Sequence, residues 1–135
     1  MNSRDSQLIE IRPIIASATV SEFTSPEEAF QNKTLRPIAK LQNDLLVAVF
    51  RNYIKKHKNT FYELNLEKRL AYIANAIQRD VKFRNSLKGI IIGQFTIEEY
   101  ETYIENSSSL NKRMMNLVKQ RIEDNLQLLE KKLAY

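Results

Sequence analysis

The sequence predicts an all-α fold, a bundle of four to five helices behind an irregular N-terminal arm. Three observations lead there. Apolar residues recur at helical spacing along most of the chain, and Ser, Thr, Asn and Asp stand where helices would begin. With two glycines and three prolines in 135 residues, the chain lacks the tight-turn residues that a sandwich or barrel consumes. A hydrophobic content of 43% is enough for one packed core, and the length suits one domain.

Residues 1–24 carry no helical period; Ile11, Ile14, Ile15, Val20 and Phe23 among them suit an extended or partly disordered arm. Residues 25–135 are read as a single helical domain. It opens at Ser25-Pro26-Glu27-Glu28, where Ser25 caps, Pro26 suits the first helical position and Glu28 completes a capping box. Pro37 marks a kink or a fresh start with Thr34 as cap.

The next helix, about residues 35 to 58, is the clearest. At 100° per residue, Leu35, Ile38, Leu41, Leu45, Leu46, Val49, Phe50 and Tyr53 share one face. Arg36, Lys40, Arg51, Lys55 and Lys58 share the opposite one. Residues 36–58 carry a net charge of +5, so this basic face is the candidate anion-binding surface, suited to the phosphate backbone of a nucleic acid.

Asn65 is placed to cap a helix carrying Leu66, Leu70, Ile73, Ala74 and Ile77, and Asp80 to cap one carrying Val81, Phe83, Leu87, Ile90 and Ile91. Gly93 is expected to terminate the latter. Thr96-Ile97-Glu98-Glu99 reads as a second capping box, opening a short acidic helix with Tyr100, Tyr103 and Ile104 on its apolar side. One of Ser107, Ser108 and Ser109 then caps a long helix running from about 109 to 133. Its apolar stripe, Leu110, Met114, Met115, Leu117, Val118, Ile122, Leu126, Leu129 and Leu133, is wide enough to be covered from two sides, as in a bundle or a homo-oligomer.

Chemistry is constrained by what is missing. There is no cysteine, and His57 is the single histidine. Thiolate nucleophiles, disulfides and histidine-rich metal sites are therefore excluded. Two glycines build neither a phosphate loop nor a dinucleotide fingerprint. Glu98, Glu101 and Glu105 share a helical face that reads as a wet acidic surface. His57, near a helix C-terminus, and Arg121 and Asn125, which project into the last apolar stripe, form the candidate polar site or buried pair. No catalytic residue, metal or cofactor is assigned.

The segments LRPIAKLQNDLLVAVFRNYIKKHKNTFYELNLEKR, FRNSLKGIIIGQFTIEEY and SSSLNKRMMNLV resemble a group of short bacterial proteins, some of which carry the label glyoxalase. The likeness runs from about Phe30 to Leu129 and brings no catalytic motif. The label implies paired βαβββ units and a divalent metal held by His, Glu or Gln, and no residue here matches such a ligand set. The expected function is thus a small non-catalytic binding or protein-interaction module; nucleic-acid binding is the alternative, and a small-molecule lyase the third. The apolar run Leu45–Phe50 is far shorter than a membrane span, and the segment Leu8–Ile15 is broken by Glu10, Arg12 and Pro13. A cytoplasmic protein without a membrane is expected.

Overall fold

A computed structural model describes residues 1–15 and 24–130, and their regular structure is helical throughout. The order is α1 (Ser3–Ile11), α2 (Pro26–Phe30), a π-helical turn (Gln31–Leu35), α3 (Arg36–Leu41), α4 (Asn43–Lys56), a 3-10 turn (Thr60–Glu63), α5 (Leu66–Arg79), α6 (Val81–Ile92), α7 (Ile97–Glu105), α8 (Ser107–Asp124) and a second 3-10 turn (Leu126–Leu129). The all-α expectation holds; the helical elements are more numerous than the four or five foreseen. Val20, Phe23 and Leu133 lie outside the described residues.

Local sequence explains most helix starts. Ser25 accepts from the Glu28 N–H at 3.1 Å, Asn65 from Lys68 at 2.9 Å and Asp80 from Phe83 at 3.2 Å. Thr96 and Glu99 make both bonds of the capping box. The long helix departs from expectation, because its N-cap is Asn106 and no side chain caps it. It also ends at Asp124, well before 133.

The expected 35–58 helix is divided. Pro37 has no N–H to give and its ring would press on the Lys33 carbonyl. The chain widens into a π turn, with the Arg36 N–H reaching the Gln31 carbonyl, and runs from α2 into α3 without stopping. It then breaks at Gln42, whose side chain donates to the Ile90 carbonyl at 3.1 Å. That break resets the helical phase. Leu46, Val47, Phe50 and Ile54 face the core, whereas Leu45 is 47% exposed.

The N-terminal segment also differs from the extended reading, since residues 3–11 form a helix fastened by polar bonds. Arg4 donates to the carbonyls of Gly93 and Phe95, both at 2.9 Å, and buried Asp5 accepts from the Ile97 N–H at 3.0 Å. Arg12 pairs with Glu99 at 2.5 Å, and the Thr34 hydroxyl donates to the same carboxylate at 2.8 Å. A helix docked through side-chain charges onto the ends of α6 and α7 needs no apolar period, which is why periodicity missed it.

α8 lies against α3, α4, α5, α6, α7 and the π turn, and buries Leu110, Met114, Met115, Val118 and Ile122. The width of its apolar stripe is accounted for by these neighbours. At the other end of the core, Phe50 meets Tyr53, Phe61, Tyr72 and Phe83, an aromatic cluster at the foot of the site described next.

Candidate functional site

α4 ends without a glycine. His57 is its C-cap; Lys58 and Asn59 follow with φ of 64° and 60°, in the left-handed region. The Asn59 N–H bonds the Ile54 carbonyl at 3.0 Å and the Lys58 N–H the Lys55 carbonyl at 3.2 Å, the pattern of a Schellman stop. This tight reversal turns Lys56, His57 and Lys58 toward the C-terminal end of α5. Between them opens a cavity of about 660 Å³, walled by Tyr53, Tyr72, Asn75, Ala76, Arg79 and Asp80. A second depression of about 350 Å³ shares Tyr53, Lys56, His57 and Asp80 and adds Lys82, Phe83 and Ser86.

Tyr53 and Asp80 form the ridge between the two. The Tyr53 hydroxyl donates to Asp80 Oδ2 at 3.0 Å, while Asp80 Oδ1 accepts the Phe83 N–H. Burial and the bond to Asp80 push the Tyr53 phenol up to about 12. The Phe83 N–H, then the Tyr53 hydroxyl, hold the Asp80 carboxyl below its usual range, helped by the charges of His57 and Lys82. Proton transfer near neutral pH needs groups tuned toward it; here the acid and the base are both driven away.

The His57 ring lies on Tyr53 with centroids 4.1 Å apart, and Phe83 covers the other side of Tyr53, also at 4.1 Å. His57 Nδ1 is 2.9 Å from the Tyr53 carbonyl, which only accepts, so Nδ1 is the donor of that bond. The result is a three-ring stack whose exposed end is the imidazole. The Tyr72 hydroxyl, buried and without a hydrogen-bond partner among the described residues, belongs to a side chain lining the larger cavity, and burial raises its pKa. Lys56, Lys58, Arg79 and Lys82 make no ion pair among the described residues, so the cleft keeps a positive surplus.

The residues nominated from sequence separate. Lys58 and His57 line the cleft, and Lys55 is exposed on the last turn of α4. Arg51 is half-buried, and its guanidinium donates to the Leu128 carbonyl. Lys40 is exposed on α3, and Arg36 lies on a groove beside α8. Arg121 lines a pocket next to that groove; the Asn125 amide donates to the Arg121 carbonyl at 2.6 Å and to Asn43 Oδ1 at 2.9 Å. His57 lines neither of those pockets. The sequence gives no sign of Arg79 as a site residue and presents Asp80 only as a cap; nothing local signals the Tyr53–Asp80 contact across 27 positions.

Among the described residues no group of three or more acidic or histidine side chains is arranged to hold a metal ion. No helix there is long and apolar enough to cross a membrane. No protein-family model, curated protein or solved structure matches the chain.

Proposed function

We propose that this chain is a non-catalytic binding module that takes an anionic partner in the cleft where α4 ends. The observation that carries this reading is the set of Lys56, Lys58 and Arg79 around one cavity, with a single carboxylate, Asp80, already occupied by Tyr53 and the Phe83 N–H. Cations gathered around one depression give a stronger local field than the same charges spread along a helix. The phenol raised and the carboxyl lowered argue for holding a ligand rather than moving its protons.

A second reading, binding of single-stranded nucleic acid, is favoured by the exposed imidazole at the end of the His57–Tyr53–Phe83 stack, flanked by Lys56, Lys58 and Lys82. Bases stack on such platforms while lysines follow the phosphates. Titrating the full chain with pyrophosphate and with a labelled single-stranded oligonucleotide, at low and moderate salt, tests both. Binding is read at the His57 and Tyr53 ring signals: shifts with either probe that are lost in a Lys56→Glu, Lys58→Glu, Arg79→Glu variant support the module, and no shift, or shifts the variant retains, refutes it. Preference for the oligonucleotide, with a steep salt slope, selects the second reading.

A further inference from the structure

On the other side of the α3 break a second basic surface is built differently. The π turn presents two side-chain amides, Gln31 and Asn32. The Gln31 Oε1 atom accepts from Arg113 Nη1 of α8 at 2.7 Å, and the Asn32 Oδ1 atom accepts from Arg36 Nε of α3 at 2.9 Å. Between them lies a groove of about 550 Å³, with Lys112 on its wall. It shares Arg36, Leu117 and Gln120 with an adjoining pocket of about 220 Å³ that contains Arg121. Asp124, the carboxylate lining that pocket, already accepts from the Gln120 amide at 2.8 Å.

From this geometry we infer that the π turn and α8 form an oxyanion site, separate from the cleft at the end of α4, that binds a phosphoryl group between Arg36 and Arg113. An arginine held in place by a carboxylate has its charge cancelled by the group that orients it. Here the orienting groups are neutral amides, so both guanidinium forks are positioned and keep full charge; neither makes an ion pair among the described residues. Asn32 and Arg36 stand four residues apart, the spacing at which side chains meet along a helix, and Gln31 reaches across to α8. Phosphoryl oxygens suit planar two-pronged donors, and Lys112 adds a point charge at the wall.

The test uses the full chain, with pyrophosphate as the phosphoryl probe and citrate as a carboxylate of comparable charge. Arginine Nε–H signals are followed by NMR, and affinity by calorimetry. Saturable shifts of the Arg36 and Arg113 signals are expected with pyrophosphate, with a weaker response to citrate. Arg113→Lys keeps the charge and removes the fork, and should weaken this binding about tenfold; Gln31→Leu, which frees the fork, should weaken it about threefold. Lys58→Glu, in the other cleft, should leave the Arg36 and Arg113 response unchanged even if the proposed function fails. Absence of the shifts, equal response to citrate, or loss of the response in Lys58→Glu overturns the inference. So does full binding by a folded Arg113→Lys chain. If Arg113→Lys does not melt like the parent, Arg36→Lys replaces it with the same expectations.

Discussion

Lys58 holds a position that favours glycine. With φ at 64°, its Cβ crowds the carbonyl that follows, which costs a non-glycine residue about 1–2 kcal/mol. Lys58→Gly removes that cost but adds about 0.5–1 kcal/mol of unfolded-chain entropy. The net gain is about 0.5–1 kcal/mol, with both Schellman hydrogen bonds intact because they use backbone atoms. For 135 residues the unfolding entropy is on the order of 0.28 kcal/mol per degree, so the midpoint should rise by about 2–3 °C in calorimetry. Lys58→Ala is the control: it removes the same charge and keeps the same backbone strain, so its melting temperature should move by less than about 1 °C. Both variants should bind the anionic probe more weakly. If Gly and Ala raise the midpoint equally, relief of repulsion with Lys55 and Lys56 is the cause and no strain is stored at residue 58. If Gly lowers it, the left-handed stop is not what ends α4. The expected pattern, weaker binding in both variants and higher stability in Gly alone, would mean that a strained residue is kept because its charge is useful.

Other perturbations address the fold and its titrating groups. Leu46→Ala should cost about 2–4 kcal/mol in urea unfolding, whereas Leu45→Ala should cost under about 1 kcal/mol; equal losses would contradict the phase reset at Gln42. Glu99→Gln should cost about 3 kcal/mol, because it leaves the Arg12 guanidinium, 8% exposed, without its carboxylate and weakens the α7 cap. Burial raises the Glu99 pKa, but Arg12, the Thr96 N–H and Thr34 outweigh it and the net shift is downward. Its contribution is therefore complete above the ordinary value of 4.5 and is lost as pH falls below that through the folded-state value. The acid limb of stability against pH should flatten in Glu99→Gln; an unchanged limb would deny Glu99 this role. Tyr53 works in the opposite direction. Its pKa is raised from 10.0 to about 12, so its contribution is present below 10.0 and disappears as pH rises toward 12. Tyr53→Phe should remove that alkaline loss and cost about 1 kcal/mol at neutral pH; an alkaline limb identical to the parent's would rule out the Tyr53–Asp80 bond as its source.

By itself the sequence determined the helical class and most helix starts, because caps and capping boxes act within four residues. Ser25, Asn65, Asp80 and Thr96 cap where the sequence says they should. Tertiary structure decided whatever depends on phase or on distant partners. A 100° wheel drawn through Gln42 assumes one straight helix; the backbone turns out of helical geometry at Gln42, where its side chain bonds the Ile90 carbonyl, and Leu45 lies outward. α1 is held by Arg4, Asp5 and Arg12 on partners more than eighty positions away, and such polar docking leaves no hydrophobic period. The basic stripe divides for the same reason: Arg36 lies beside α8, Arg51 under the Leu128 carbonyl and Lys58 in the cleft. Charge and residue type are local properties that sequence carries, but which cations converge is set by where α5, α6 and α8 cross α4, and that depends on packing of the whole core.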